Sequence, residues 1–159
     1  MKRYTPKTPR KKSWTGGNKE DREQGQLMAW IKSRYPEALC TTDLAGINVQ
    51  PRTAAKLYAQ RNPRKGWPDI TIYEPREPYA LLMLEFKATG ADVIKKDGTL
   101  RQTQHLKEQS KLHSALSKRG YCVGFVVGLE NGKRAVEAYL NADFKTLETY
   151  IHNGNTSNK

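Results

Sequence analysis

Apolar residues recur along the chain with two different periods, which separates predicted helices from predicted strands. Within residues 20–34, one stripe repeats at helical spacing: Glu23, Leu27, Trp30, Ile31 and Arg34. This spacing places the stripe on one face of a helix, with its glutamate at the N-terminal end of the core-facing side. Acidic residues in the first turn suit the positive end of the helix dipole. Tyr35-Pro36 predicts the end of this helix.

Two nearly continuous apolar runs, Ala80–Lys87 and Tyr121–Gly128, predict buried strands. A shorter strand is predicted at Asp69–Tyr73, and the turn Glu74–Pro78 separates it from the first of these runs. The remaining predicted elements are a strand at Leu39–Leu44 and helices at Pro51–Gln60, Leu100–Arg119, Lys133–Asn141 and Ala142–His152. This order predicts an α/β fold with a mixed central β-sheet flanked by helices.

Basic residues exceed acidic residues by 28 to 16, which gives this chain of 159 residues a net charge of +12. Such an excess predicts a polyanionic partner, because lysine and arginine release condensed counterions when they bind phosphates. Residues 1–19 carry many basic side chains and no acidic one, so they are interpreted as a flexible arm. The arm would either grip nucleic acid or act as a solubilising tail. The folded domain is expected at 20–152, followed by a disordered tail at 153–159.

The two cysteines, Cys40 and Cys122, lie in apolar, strand-like surroundings. Two cysteines do not make a disulfide framework, so both are expected to stay reduced and to pack as small apolar side chains. No apolar run approaches the roughly 20 residues that span a bilayer. The N-terminus lacks the apolar segment of a secretory signal. A cytoplasmic location is therefore expected.

Charged residues interrupt the Ala80–Lys87 run at its end. Glu85 and Lys87 stand two residues apart, so they share one face of the predicted strand. If the strand at Asp69–Tyr73 pairs with this run through the intervening turn, Asp69 lies beside Glu85. Such charges are costly near a core unless they are compensated. Carboxylate oxygens suit Mg²⁺ or Mn²⁺, which predicts a divalent metal site here.

A metal at this site would polarise a phosphate oxygen and lower the pKa of a bound water. Lys87 would orient that water or offset charge developing on phosphorus. The alternative is a structural pairing, in which Lys87 bridges Glu85 or Asp69 at the sheet edge. Basic residues that precede the Asp69–Tyr73 strand are expected to contact phosphates of the polyanionic partner. They are Arg52, Lys56, Arg61, Arg64 and Lys65.

Four segments together resemble the VRR-NUC family, a branch of the PD-(D/E)xK nuclease superfamily. They are Glu23-Gln24 with Leu27 and Trp30, Gly66-Trp67-Pro68-Asp69-Ile70, Leu84-Glu85-Phe86-Lys87, and Leu100-Arg101-Gln102-Thr103-Gln104 leading to Leu116 and Gly120-Tyr121. Each segment alone is a weak signal, but their order makes the combination fairly specific. The Val-Arg-Arg tripeptide behind the family name is absent, which leaves the DNA contacts open.

The resemblance implies a restriction-endonuclease-like core and a Mg²⁺- or Mn²⁺-dependent phosphodiesterase that acts on DNA. In the family's motif, Asp69 and Glu85 match the metal carboxylates, and the carbonyl of Phe86 matches a backbone ligand. Lys87 matches the catalytic lysine.

Two helix residues are also assigned only by the resemblance. Glu23 matches a glutamate that assists the metal, although Glu20 competes for this role. Gln104 matches a glutamine near the active site. The chain's length resembles that of stand-alone members from phages and bacteria, which implies a homodimer and a four-way junction as substrate.

Two alternatives stay open at this point. A non-catalytic, basic DNA-binding or architectural protein would use the nuclease-like core only as a scaffold. RNA is the other possible substrate, because phosphodiester chemistry is common to both nucleic acids. The histidines do not decide the matter, since His105, His113 and His152 lack zinc-ligand spacing with the cysteines.

Overall fold

The computed structural model describes residues 19–42 and 66–153, and these contain four helices and four strands. In chain order they are α1 (Lys19–Arg34), β1 (Cys40–Thr42), β2 (Ile70–Ile72), β3 (Leu82–Lys87), α2 (Gln104–Ser117), β4 (Cys122–Val127), α3 (Leu129–Leu140) and α4 (Phe144–Tyr150). The predicted α/β class is confirmed. The predicted helix at Pro51–Gln60 and the last two residues of the predicted strand at Leu39–Leu44 lie outside the described residues.

The strands form one mixed sheet in the order β1-β2-β3-β4. β1 and β2 are antiparallel, β2 and β3 are antiparallel with Ile70 opposite Leu84, and β3 and β4 are parallel. The predicted pairing of the two strands that flank the turn at 74–78 is therefore confirmed. All six residues of β3 are buried, as expected for a central strand that is covered on both faces.

The two faces of the sheet carry different helices, and side chains of β3 alternate between them. On one face, Phe86 lies in the main hydrophobic core together with residues of α1 and α3. On the other face, Met83 packs with Leu112 of α2. Because Glu85 and Lys87 follow Met83 at alternate positions, both lie on the α2 face. The predicted site is thus positioned by β2, β3 and α2.

The second helix begins at Gln104, four residues later than the predicted start at Leu100. Thr103 is the reason, because its side chain accepts a hydrogen bond from the backbone N–H of Leu106 at 3.3 Å and caps the helix. Leu100 itself forms an antiparallel bridge with Ile94 and belongs to the preceding loop.

The third helix begins at Leu129, whereas the sequence predicted a start at Lys133. Gly132 has a low helix propensity, but it lies inside the helix at a close contact with α1. A Cβ added to Gly132 would lie only 2.8 Å from Cδ2 of Leu27. The tertiary contact therefore outweighs the low helix propensity of glycine.

Two expectations from the composition concern the cysteines and membrane-spanning segments. Cys40 and Cys122 are both free, and Cys122 is buried, as predicted. Among the helices of the described residues, none combines the length and the apolar character needed to cross a membrane.

Candidate active site

Asp69 lies directly before β2 and beside Glu85. Ile70 is opposite Leu84 in the antiparallel pair, and the same register continued by one residue places Asp69 opposite Glu85. Asp69 Oδ2 also accepts a hydrogen bond of 2.8 Å from the backbone N–H of Phe86. Strand pairing therefore brings together the two carboxylates that were predicted to be neighbours.

Glu85 and Lys87 form a buried ion pair on the α2 face of β3. Lys87 Nζ lies 2.7 Å from Glu85 Oε1, and the two side chains are 10% and 3% exposed, respectively. Their shared direction was predicted from the period of two along a strand. The ammonium is therefore held at the carboxylate of Glu85.

Gln109 of α2 is a further polar side chain of this cluster, and the sequence motifs did not predict it. It is 4% exposed, and its Nε2 donates a hydrogen bond to Glu85 Oε1. The buried face of α2 consists of Leu106, Gln109, Leu112, His113 and Leu116. A glutamine at helical spacing within an apolar stripe was the signal available in the sequence. We call Asp69, Glu85, Lys87 and Gln109 the carboxylate cluster.

Gly66 lets the segment before β2 approach α2 closely. Its φ is +88°, a backbone conformation that favours glycine. A Cβ at this position would lie 3.0 Å from Gln109 Cα and 3.3 Å from Gln109 N. The Gly-x-Pro-Asp motif thus has a packing reason, because this contact sets the distance between the Asp69 segment and α2.

Polar atoms without a partner among the described residues lie in and beside the carboxylate cluster. They are Glu85 Oε2, Gln109 Oε1 and both ring nitrogens of His113. Buried polar atoms in folded proteins are normally satisfied. The two oxygens therefore have lone pairs available for a cation or for a water molecule bound to one.

His113 lies one helical turn after Gln109, with its ring 4.5 Å from the ring of Phe125. Burial, followed by the charge of Lys87, lowers the pKa of His113 to about 4. It is therefore neutral at pH 7.

Burial raises the pKa of both carboxyl groups in the cluster. For Glu85, burial and then the charge of Asp69 raise the pKa to about 8, against the opposing effect of Lys87. Burial also raises the pKa of Asp69, although a backbone hydrogen bond and Lys87 oppose it. Burial disfavours the charged form of Lys87, but Glu85, Glu20 and Asp69 outweigh this effect and raise its pKa. An additional cation beside the two carboxylates would relieve their repulsion.

Glu23 is buried, as its stripe position predicted, but its contacts differ from the expected role at the metal. Glu23 Oε2 accepts hydrogen bonds from Thr89 N at 2.7 Å and from Thr89 Oγ1 at 3.0 Å. Its Oε1 lies 3.8 Å from Lys19 Nζ. The reason is that the buried side of α1 packs on the sheet face opposite the carboxylate cluster. Glu23 therefore links α1 to the loop that follows β3.

Glu20, the competing residue, is the α1 glutamate that reaches the cluster. Its Oε1 lies 3.9 Å from Lys87 Nζ, and its charge raises the pKa of Asp69. Lys87 is the last residue of β3, so it is within reach of the first turn of α1. A position near the metal that the resemblance assigned to Glu23 is thus better matched by Glu20.

Gln104, predicted from the motif to lie near the active site, is exposed. Its Nε2 donates a 2.8 Å hydrogen bond to Glu108 Oε1 on the outer side of α2. Because α2 begins at this residue and its buried stripe passes through Leu106 and Gln109, Gln104 faces away from the sheet. The structure places Gln109, not Gln104, beside Glu85.

The remaining predicted site residues are only partly described. Phe86, whose carbonyl is the expected backbone ligand, donates its N–H to Asp69 and has a buried side chain. The predicted DNA contacts Arg52, Lys56, Arg61, Arg64 and Lys65 lie outside the described residues.

The donor set of the cluster fits a hard cation. Within residues 19–42 and 66–153, no group of three or more His, Cys, Asp or Glu side chains could hold a metal ion without other donors. The cluster instead combines two carboxylates with the amide oxygen of Gln109. Mg²⁺ usually takes one or two protein carboxylates and completes its coordination with water and substrate phosphates. Oxygen donors also suit Mn²⁺ and disfavour softer metals.

Comparison with known proteins gives a match of fold. No family model matches the sequence, and no curated protein does so at a significant level. Among solved structures, the chain is similar to a "VRR_NUC domain protein", with 23% sequence identity and a TM-score of 0.55. The match covers 79% of this chain and 91% of the other. The protein therefore has the fold of a VRR_NUC domain, as its four sequence motifs predicted.

Proposed function

We propose that this protein is a metal-dependent endonuclease that hydrolyses phosphodiester bonds in DNA. The observation that carries the proposal is the pairing of Asp69 with Glu85 beside the ammonium of Lys87, in a chain with a net charge of +12. Two carboxylates at one point would repel a polyanion, so a protein that only binds DNA gains nothing from them. A cation held by these carboxylates would instead attract phosphate. The fold of a VRR_NUC domain supports the same class of function.

Asp69 and Glu85 are the side chains that would hold Mg²⁺ or Mn²⁺, with the carbonyl of Phe86 and Oε1 of Gln109 as further oxygen donors. A bound cation would supply polarisation of a phosphate oxygen and a lowered pKa of an attacking water. Gln109 fixes the rotamer of Glu85 through its hydrogen bond to Oε1, which leaves Oε2 available. Burial of Glu85 keeps competing water from its carboxylate.

Lys87 supplies the positive charge that the reaction needs near phosphorus. Its raised pKa keeps the side chain protonated at pH 7. The ammonium can donate hydrogen bonds to a phosphate oxygen or to the attacking water, and it offsets the negative charge that develops on the phosphoryl group. Glu85 and Glu20, at 2.7 Å and 3.9 Å, hold Nζ from two sides. These contacts orient the ammonium before the substrate arrives.

We further propose that the protein prefers branched DNA, such as four-way junctions, and acts as a homodimer. The support is the resemblance of its motifs to stand-alone members of the VRR-NUC family, together with its basic character. A labelled junction and a linear duplex of the same sequence, incubated in parallel with the protein, test the preference. Faster cutting of the junction is expected, and equal rates would remove branched DNA from the proposal.

The rival function is a basic DNA-binding or architectural protein, and Asp69→Asn separates the two. For a nuclease, this change weakens Mg²⁺ or Mn²⁺ binding and stops cutting, but leaves DNA affinity in EDTA unchanged or improved, because one repulsive charge is lost. The matched control is Glu148→Gln, which removes an exposed charge from α4. If Asp69→Asn and Glu148→Gln bind metal and DNA alike, and the wild type does not cut, the architectural function is favoured.

A further inference from the structure

The outer side of α2 borders an open groove that the active site does not use. The groove has a volume of about 420 Å³ and lies between the loop at 100–102 and the helix side that carries Gln104, Lys107, Ser110 and Lys111. We call it the α2 groove. Its lining contains no aromatic side chain and one carboxylate, Glu108.

The α2 groove lies at the same end of the sheet as the carboxylate cluster. Leu106 packs with Phe125, and Phe125 is opposite Glu85 in the parallel pair of β3 and β4. Leu116, at the other end of α2, packs with Met83, which lies before Glu85 on β3. Gln109 contacts Glu85, and the next residue of the helix, Ser110, lines the groove. A strand bound at the cluster could therefore continue into the groove.

The charge of the groove is positive and available to a ligand. Lys107 and Lys111 are both exposed, and they are one helical turn apart, about 6 Å along the axis. In the described part of the chain, neither ammonium forms an ion pair. The carboxylate of Glu108 opposes them, but it accepts a hydrogen bond from Gln104 at 2.8 Å.

We propose that the α2 groove binds the sugar-phosphate backbone of one nucleic-acid strand next to the reacting phosphate. Lys107 and Lys111 contact neighbouring phosphates, and the hydroxyl of Ser110 adds a hydrogen bond. Without an aromatic side chain in the lining, the groove positions the strand and does not read bases. The inference rests on the proposed function, since the strand is the substrate of the same site.

The test is the salt dependence of binding by Lys107→Gln/Lys111→Gln, measured by fluorescence anisotropy with labelled duplex and single-stranded DNA in EDTA. Each lost phosphate contact lowers the slope of log affinity against log salt by about 0.9 for duplex and about 0.7 for a single strand. The double variant loses two phosphate contacts, so its slope should fall by nearly twice these amounts. Its affinity for DNA should fall on the order of tenfold or more at low salt. The matched control is Arg134→Gln/Lys145→Gln, which removes the same amount of charge from α3 and α4. Its slope should stay closer to that of the wild type than the slope of the groove variant does.

A change of opposite sign makes the test specific to the groove. Glu108→Gln removes the one opposing carboxylate, so it should tighten binding, whereas damage to the fold would weaken it. Circular dichroism and thermal unfolding verify that each variant is folded. Equal slopes for the groove and control variants would overturn the proposal, as would a Glu108→Gln variant that binds more weakly than the wild type.

Binding in EDTA does not depend on hydrolysis, so the groove and the proposed function can fail separately. If the wild type never cuts DNA with Mg²⁺ or Mn²⁺, but only the groove variant loses its salt slope, the nuclease function fails and the groove remains a nucleic-acid site. If the wild type cuts and the groove variant binds as the control does, the groove proposal fails alone.

Discussion

Gln109 donates its side-chain amide to Glu85 Oε1, and the two residues are 24 positions apart in the sequence. In Gln109→Leu this donor is replaced by an apolar group of similar size, so the carboxylate loses its orientation. Metal affinity and cutting rate should fall about 10–100-fold, which is usual for residues that orient metal ligands. Titration with Mn²⁺ and turnover at saturating DNA provide the measurement.

The control for this change is Gln104→Ala, on the exposed side of the same helix. Its turnover at saturating DNA should stay close to that of the wild type, because Gln104 contacts Glu108 and not the carboxylate cluster. A larger loss of turnover in Gln104→Ala than in Gln109→Leu would contradict the role of Gln109 beside Glu85.

Glu23 is expected to support the fold and not to bind metal. Glu23→Ala leaves the backbone N–H of Thr89 without its acceptor, which should lower the free energy of unfolding by about 1–3 kcal/mol. Glu23→Gln retains an acceptor oxygen and should unfold close to the wild type. Chemical denaturation measures both effects.

The metal affinity of the same variants separates the two glutamates of α1. Glu23→Gln should bind Mn²⁺ like the wild type, whereas Glu20→Gln should reduce the cutting rate because it removes a charge 3.9 Å from Lys87 Nζ. A loss of Mn²⁺ affinity in Glu23→Gln as large as that in Asp69→Asn would show that Glu23 does bind the metal.

The pH dependence of stability should reveal the buried carboxyl group of Glu85. Its pKa in the folded protein, about 8, lies above the ordinary value of 4.5. A raised pKa means that folding favours the protonated form, so this contribution is present below the ordinary pKa and is lost as pH rises through about 8. In EDTA, the melting temperature of the wild type should therefore fall between about pH 5 and pH 8 relative to that of Glu85→Gln.

Mg²⁺ should reverse this loss, since metal binds the deprotonated carboxylate. The rise in melting temperature on adding Mg²⁺ should be larger at pH 8 than at pH 6 for the wild type, and absent for Glu85→Gln. Melting temperatures of the two proteins that remain parallel across this range would contradict the raised pKa of Glu85.

Gly66→Ala tests the close contact between the Asp69 segment and α2. Positive φ alone costs an alanine on the order of 1 kcal/mol, and the contact with the backbone of Gln109 should add about 1–3 kcal/mol. Gly90→Ala is the matched control, because Gly90 has φ +82° and its added Cβ would meet no described atom within 4 Å. Equal losses of unfolding free energy in the two variants would mean that the contact with α2 costs nothing.

The parts of the site that the sequence could predict depend on the alternation of side chains along a strand and on the pairing of neighbouring strands. Glu85 and Lys87 share a face because side chains alternate, and Asp69 meets Glu85 because a short turn joins neighbouring antiparallel strands. These relationships need no knowledge of how the helices pack. The same holds for the burial of β3, which follows from its unbroken apolar run.

The helix residues of the site could not be predicted in the same way, because their contacts depend on which sheet face each helix covers. Gln109 lies on the apolar stripe of α2 and faces the sheet, whereas Gln104 lies on the exposed side of the same helix. Likewise, Glu23 lies on the buried stripe of α1 but on the wrong side of the sheet for the cluster. Glu20 reaches Lys87 only because the first turn of α1 ends near the last residue of β3.

The most direct test of the nuclease function is a cutting assay with wild type, Lys87→Ala and the exposed control Lys145→Ala. Each protein is incubated with a labelled four-way junction and a linear duplex, in Mg²⁺, Mn²⁺ or EDTA. Metal-dependent cutting by the wild type and Lys145→Ala, abolished in Lys87→Ala, is the result that a metal-dependent nuclease centred on Asp69, Glu85 and Lys87 predicts. DNA binding without cutting by the wild type under every metal condition, or cutting by Lys87→Ala at the wild-type rate, would contradict it.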